Sequence, residues 1–95
     1  MEYEWNTAKA ALNRRKHGVD FQDAIWALED QNRLESIDTR IAYGEPRTQV
    51  IGMSRGSILL VVTTSPREDA CRIISARKAT RDEQDRYYAG DRETW

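Results

Sequence analysis

The feature that most constrains the fold is the run Ile58-Leu59-Leu60-Val61-Val62-Thr63-Thr64. In an extended chain its apolar side chains fall on both faces, so the strand needs a covering layer on each side. Turn residues bound it, with Gly56-Ser57 before and the polar stretch Ser65-Pro66-Arg67-Glu68-Asp69 after. We therefore expect this run to form a central strand of a sheet.

Three further extended segments flank this run along the chain. Residues 48–54 precede it after a turn at Gly44-Glu45-Pro46-Arg47, and residues 71–77 follow it. Residues 36–43 alternate in polarity, with Ile37 and every second residue after it on one side, which predicts a half-buried strand. Because the connections are short, the four strands should form an antiparallel meander.

A first helix is predicted over residues 7–16, after a short opening strand at Tyr3-Glu4-Trp5. Asn6 or Thr7 can cap its start, and Gly18 suits the left-handed position that ends a helix. We expect its thin apolar stripe to pack on a neighbour; this stripe consists of Ala8, Ala11, Leu12 and Arg15.

Two more helices follow from capping signals. Asp20 can cap a second helix whose apolar residues recur at helical spacing, namely Phe21, Ala24, Ile25 and Leu28. Trp26 lies off that stripe, and we expect it to extend the buried face rather than to sit in a partner interface. Thr80 followed by Glu83 is a capping-box pattern, which predicts a last helix from about Thr80 to Tyr88, ending at Gly90.

This order of elements predicts an α+β fold, with two N-terminal helices and a C-terminal helix packed on one face of a mainly antiparallel sheet. A chain of 95 residues suits one domain, here residues 1–95. The single cysteine forms no internal disulfide, and no apolar run is long enough to span a bilayer. We expect a cytoplasmic protein without a membrane partner.

Charge is segregated along the chain although the formal net charge is only -1. Residues 1–17 hold four Lys/Arg against two Asp/Glu and residues 46–81 hold seven against two, whereas 18–45 and 82–95 are acidic. The stretch from Cys71 to Glu83 concentrates cations where a strand meets a helix: Arg72, Arg77, Lys78 and Arg81. Cations beside the amides of a helix start suit phosphate.

Strand parity complicates this phosphate site. Arg72 and Arg77 differ by an odd number of residues, so a regular strand would turn them to opposite faces unless the chain bends before Arg77. Arg77 and Arg81 are then the expected pair at the helix start. The alternative is structural: Arg72 can pair with an acidic neighbour across the sheet, and Arg77 and Arg81 can be solvated or pair with Asp82 and Glu83.

The arginines and the histidine of this sequence suit metal-free cleavage of RNA, because RNA carries its own nucleophile in the 2′-hydroxyl. One His and one Cys far apart in sequence do not form a zinc motif, and no phosphate-binding loop or dinucleotide fingerprint is present, so no metal or cofactor is expected. His17 can take or give a proton, with Lys16 or Glu45 as its partner. His17 can equally be part of an ordinary basic helix end.

Two segments, one near each end of the chain, carry a recognisable combination of residues. The first is Trp5-Asn6 with Lys9, then Asn13, Arg15-Lys16-His17-Gly18-Val19, Phe21 and Ala24. The second is Arg72-Ile73-Ile74-Ser75-Ala76-Arg77 with Ala79, Thr80, Glu83 and Tyr87. Together these segments resemble the signatures of BrnT-type toxins. Ile51-Gly52, the Gly56 turn and the strand Leu60-Val61-Val62 also agree with that family, so the resemblance spans nearly the whole chain.

The resemblance implies a RelE-like fold and a bacterial type II toxin, an endoribonuclease that inhibits translation. It also implies neutralisation by a DNA-binding BrnA-type antitoxin, with two copies of each in the complex and DNA bound only through the antitoxin. By matching position, the implied catalytic residues are Lys16, His17, Arg72 and Arg77, and the implied substrate-binding residues are Arg81, Glu83, Trp5 and Glu45. The rival hypotheses are a non-catalytic binding module and an inactive relative that partners a DNA-binding repressor.

Overall fold

The computed structural model describes residues 1–38 and 44–90. The elements follow one another as β1 (Glu2–Glu4), α1 (Thr7–His17), α2 (Phe21–Leu28), β2 (Leu34–Asp38), β3 (Arg47–Ser54), β4 (Ser57–Thr64), β5 (Ala70–Lys78) and α3 (Arg81–Ala89). The predicted α+β class and element order are confirmed. No helix in these parts of the chain is long and apolar enough to cross a membrane.

The strands form one five-stranded sheet in the order β1-β5-β4-β3-β2. β2 to β5 pair antiparallel, as the short loops predict, and β1 adds to β5 in parallel. The predicted strand over residues 36–43 instead begins at Leu34, and its part beyond Asp38 lies outside the described residues. Ile37 is 70% exposed, so the expectation that Ile37 lies on a buried side of the strand is wrong.

Helices cover both faces of the sheet, which corrects the prediction that all three share one face. Successive apolar side chains of β4 point to opposite faces of the sheet. Leu59 and Val61 join the core beneath α1 and α2, and Ile58 and Leu60 join a second core beneath α3. The first core is formed by Val19, Phe21, Ala24, Ala27, Leu59, Val61, Ile73 and Ala76. The second is formed by Leu34, Ile51, Ile58, Leu60, Ala79 and Tyr87.

The close approach of α2 to the sheet depends on Gly52. A Cβ atom at this position would lie 2.2 Å from the backbone oxygen of Ala27, which is closer than non-bonded atoms approach one another. Ala24 and Ala27 are fully buried at this contact, whereas Trp26 on the opposite side of the helix is 61% exposed. The expected burial of Trp26 is therefore wrong, because small residues alone fit between α2 and β3.

The orientation of α1 also differs from the prediction. Leu12 is 57% exposed, and Ala8, Ala11 and Arg15 are exposed with it. The inward side carries Ala10 and the buried Asn13 instead. The helix ends are as expected, since the Asn6 side chain accepts a hydrogen bond from the Lys9 amide and Gly18 adopts φ 72°.

Candidate active site

Arg77 lies at the end of β5 and is held by Glu83 of α3. Its Nη1 and Nη2 donate to the two carboxylate oxygens at 2.8 and 2.9 Å, and Nη1 also donates to the Lys78 carbonyl at 3.1 Å. The other Glu83 contact is the capping box, because Oε1 accepts from the Thr80 amide at 2.8 Å. Among the structural alternatives for Arg77, pairing with Glu83 is the one observed.

The electrostatics of this pair stabilise both charged forms. The hydrogen bond to Glu83 raises the pKa of Arg77. Burial by itself raises the pKa of Glu83, but hydrogen bonds from Arg77 and Thr80 outweigh it and hold that pKa below its usual value. The bonds of Arg77 use three of its five N–H groups, so its Nε–H and one hydrogen of Nη2 have no partner among the described residues and can donate to an anion.

Arg72 is the corresponding arginine near the start of β5. Its Nε and Nη2 donate to one oxygen of Glu4 at 3.0 and 2.9 Å, which is the cross-sheet pairing considered as the structural alternative. Arg67 approaches the other Glu4 oxygen at 2.9 Å. The hydrogen bond from Arg72 is the largest cause that lowers the pKa of Glu4.

A β-bulge resolves the parity problem between the two arginines. Val62 pairs with Ser75 and Thr63 with Ile73, so Ile74 is an extra residue in β5. Arg77 then pairs with Leu60 and Arg72 with Thr64, which places both arginines on the sheet face that carries α3. These partners are four positions apart in β4, with three residues between them, so the arginines lie roughly 13 Å apart along the sheet.

Lys16 and His17 end α1, which packs on the other side of β5. Both side chains are exposed, as expected for a basic helix end. Gly18, next to His17, lines a cavity of 230 Å³ together with Lys78, which pairs with Leu59 and so points away from the face of Arg77. The two halves of the predicted site therefore lie on the two sides of the end of β5.

The remaining predicted residues are spread over the molecule. Arg81 is 90% exposed on α3, 3.5 Å from Asp85, and does not join Arg77. Glu45 is exposed beside Pro46, whose carbonyl accepts from Thr64, so it lies at the end of the sheet near Arg72 and far from His17. Trp5 packs edge-on against Phe21, with ring centroids 6.0 Å apart.

Asn13 connects the two halves and was not singled out as a site residue by the sequence. Its side-chain amide donates to the Val19 carbonyl at 3.0 Å and to the Ala76 carbonyl at 2.8 Å, and its oxygen accepts from the Ala76 amide at 3.2 Å. β1 pairs with residues Ala70 to Arg72 of β5. Beyond the end of β1, Asn13 supplies hydrogen-bond partners for the backbone carbonyl and amide of Ala76 at the edge of β5. The sequence signal that could have revealed this role is the position of Asn13, a polar residue with low helix propensity in the middle of α1.

Asp30 is a second polar residue that the sequence left in a loop. It accepts hydrogen bonds from the Met53 amide at 2.8 Å, the Asn32 amide at 3.0 Å and the hydroxyl of Tyr87. Burial and this contact raise the pKa of Tyr87 to about 12. Asp30 and Glu83 thus fasten α3 to the sheet at two points.

Comparison with known proteins decides the family. The family model described as "Ribonuclease toxin, BrnT, of type II toxin-antitoxin system" matches residues 5–83. The chain belongs to the BrnT family of ribonuclease toxins. Among solved structures it is similar to the ribonuclease toxin BrnT of Brucella abortus, with 27% identity and a TM-score of 0.63, over 85% of this chain and 99% of that one. A search of curated proteins gives no match.

The match places both arginines, the end of α1 and the Arg77–Glu83 pair inside the region shared by BrnT toxins. Within residues 1–38 and 44–90, no three His, Cys, Asp or Glu side chains come together as metal ligands would.

Proposed function

We propose that this chain is an endoribonuclease toxin that cleaves RNA without a metal and so inhibits translation. The observation that carries the proposal is the β-bulge at Ile74, which turns Arg72 and Arg77 to the same sheet face. Each guanidinium is oriented by a carboxylate, Glu4 or Glu83, and retains N–H groups that fit phosphate oxygens. The family match and a fold that we infer to be RelE-like agree with this assignment.

In the proposed reaction the 2′-oxygen of one ribose attacks the neighbouring phosphorus and the bond to the 5′-oxygen of the next nucleotide breaks. The 2′-hydroxyl gives its proton to a general base, and the leaving 5′-oxygen takes a proton from a general acid. The product is a 2′,3′-cyclic phosphate, which water can later open. Arg77 holds this phosphate and stabilises its additional negative charge, and Arg72, about 13 Å away along the sheet, approaches it from the other side.

Proton transfer is assigned to His17, assisted by Lys16. Asn13 lies one helical turn before His17 and is bonded to Ala76, the neighbour of Arg77. An RNA chain that crosses the edge of β5 beyond β1 would therefore meet the imidazole on one side and the guanidinium on the other. Glu83 acts through Arg77, and Arg81, Trp5 and Glu45 are proposed to contact flanking parts of the RNA.

The toxin is proposed to be neutralised by a BrnA-type antitoxin with a DNA-binding domain, in a complex of two toxins and two antitoxins. The mass of the purified complex tests this stoichiometry. A one-to-one complex that blocks RNA cleavage would contradict the stoichiometry but retain the antitoxin.

One observation favours a second candidate function, a non-catalytic binding module or an inactive relative that partners a DNA-binding repressor. Arg72 and Arg77 are already neutralised by Glu4 and Glu83 without RNA. Salt-sensitive RNA binding without any cleavage, and normal growth of cells that express the chain alone, would support this function.

The experiment that separates these functions is incubation of the purified protein with RNA in the presence of a chelator. The Arg77→Ala variant is compared with Arg86→Ala, a matched control because Arg86 is also paired with a carboxylate, Asp82 at 3.2 Å, and has no proposed role in RNA binding. We expect cleavage by the wild type and the control, products with cyclic phosphate ends, and little cleavage by Arg77→Ala. Equal cleavage by all three proteins would remove Arg77 from the mechanism.

A further inference from the structure

Cations with no partner are unevenly distributed. Most of the described arginines are paired with carboxylates, as in Arg14 with Asp20 and Arg77 with Glu83, and Arg15 of α1 is an exception. Within residues 1–38 and 44–90, the side chains that make neither an ion pair nor a hydrogen bond include all three lysines. Two of these, Lys9 and Lys16, belong to α1, a helix without any acidic residue.

Helix geometry directs these two lysines toward β5. Residues seven apart lie two turns from each other on nearly the same line, so Lys9 and Lys16 share a flank and are about 10 Å apart along the axis. Ala11 and Arg14 occupy the opposite flank, where they line a cavity with Gln22 of α2. The lysine flank therefore faces away from α2.

Lys9 opens onto a groove between the start of α1 and β5. This cavity has a volume of 320 Å³, and its walls include Trp5, Lys9, Arg72 and the bulged, half-buried Ile74. Glu4 also lines it, but its carboxylate is bound by Arg72 and by Arg67. The groove thus combines an aromatic ring, an aliphatic side chain and a free ammonium group.

We propose that this groove is a subsite for one nucleotide of the RNA, beside the cleaved bond. This inference rests on the proposed function. Lys9 would bind the phosphate of that nucleotide, while Trp5 and Ile74 contact its base. Proteins that bind single-stranded nucleic acid combine cations for the phosphates with aromatic side chains for the bases in the same way. The small volume, at the low end of ligand sites, fits one nucleotide, and Arg72 joins the subsite to the face that carries Arg77.

Binding of a 2′-O-methyl RNA oligonucleotide, which lacks the nucleophile, tests the subsite separately from cleavage. The wild type is titrated beside Lys9→Gln, Lys9→Arg and the control Arg86→Gln, at several salt concentrations; Arg86 is paired with Asp82 at 3.2 Å on α3 and has no proposed role in RNA binding. We expect Lys9→Gln to raise the Kd several-fold and to reduce the slope of log affinity against log salt by about 1. Lys9→Arg and Arg86→Gln should keep the Kd and the salt slope close to those of the wild type. Lys9 is exposed, so all variants should fold.

Quenching of tryptophan fluorescence provides a second reading. Oligonucleotide binding should quench the wild type and the Trp26→Phe variant, and a Trp5→Phe variant should lose this signal. An unchanged Kd and salt slope in Lys9→Gln would overturn the subsite, even if the wild type cleaves RNA. Competition by poly-glutamate as strong as by unlabelled RNA would overturn it in favour of an acidic protein. Lys9-dependent binding by a wild type that does not cleave would support the subsite and refute the proposed function.

Discussion

Replacing Asn13 by alanine tests the contact that holds α1 against the edge of β5. The substitution removes a buried side chain that is only 7% exposed and that makes three hydrogen bonds to the backbone of Val19 and Ala76. Two carbonyl groups and one amide would then lose their partner in a place that water reaches poorly. We expect the variant to fold, with its stability lowered by a predictable amount.

The magnitude follows from these three bonds. Each contributes about 1 kcal/mol net in a typical protein, which sums to about 3 kcal/mol. Alanine has a higher helix propensity than asparagine, which offsets this loss of stability by up to about 0.7 kcal/mol. The free energy of unfolding should therefore fall by about 2 to 3 kcal/mol.

Urea denaturation measures this change, provided that the dependence on urea concentration stays the same. Leu12→Ala is the matched control, because Leu12 is the preceding residue and is 57% exposed. It should change the free energy of unfolding by no more than about 0.5 kcal/mol. If Asn13→Ala lost less than the control, the inference that Asn13 stabilises the strand edge would be refuted.

Three further variants test other parts of the fold and site. Gly52→Ala should destabilise the protein by about 1 to 3 kcal/mol in thermal or urea unfolding, because its Cβ would meet Ala27; wild-type stability would contradict this packing. Tyr87→Phe should cost about 1 to 3 kcal/mol by leaving Asp30 without that donor, and a neutral result would show that the bond contributes nothing. Glu83 has a lowered pKa in the fold, so its stabilisation is present above the unfolded value near 4.5 and is lost as the pH falls below it. Stability measured against pH should therefore fall less steeply in acid for Glu83→Gln than for the wild type, and identical slopes would exclude this contribution.

Local signals explain why the order of elements was predictable. The capping box of Thr80 and Glu83, the glycine at position 18 and the short turns between strands each depend on a few adjacent residues. Such features can be predicted from the sequence because their hydrogen bonds join residues that are close together in the chain. The two-sided apolar pattern of β4 also indicated a layer on each face, although the helices were assigned to one.

Long-range contacts account for what the sequence did not reveal. Asn13 faces inward because an unpaired strand edge, distant in sequence, needs its amide, and this turns Leu12 outward. Trp26 is exposed because Gly52 brings α2 too close for a large residue. The bulge at Ile74 depends on how β4 and β5 pair, so no period in the sequence could place Arg72 and Arg77 on one face.

The proposed site was predictable as residue types but not as an arrangement. Arg72 and Arg77 follow from the basic strand, and Lys16 and His17 from the basic helix end. Their carboxylate partners Glu4 and Glu83 come from opposite ends of the chain, and pairing of Arg72 with Glu4 requires the parallel contact between β1 and β5.

The central claim is that the RNA supplies its own nucleophile on a metal-free protein surface. The most direct test maps the cleaved bond in a short RNA and then replaces the single ribose before it by 2′-deoxyribose, with chelator present throughout. We predict that the modified strand binds like the original and is no longer cut at that bond, while cuts elsewhere continue. Cleavage at the modified bond at an unchanged rate would contradict the claim.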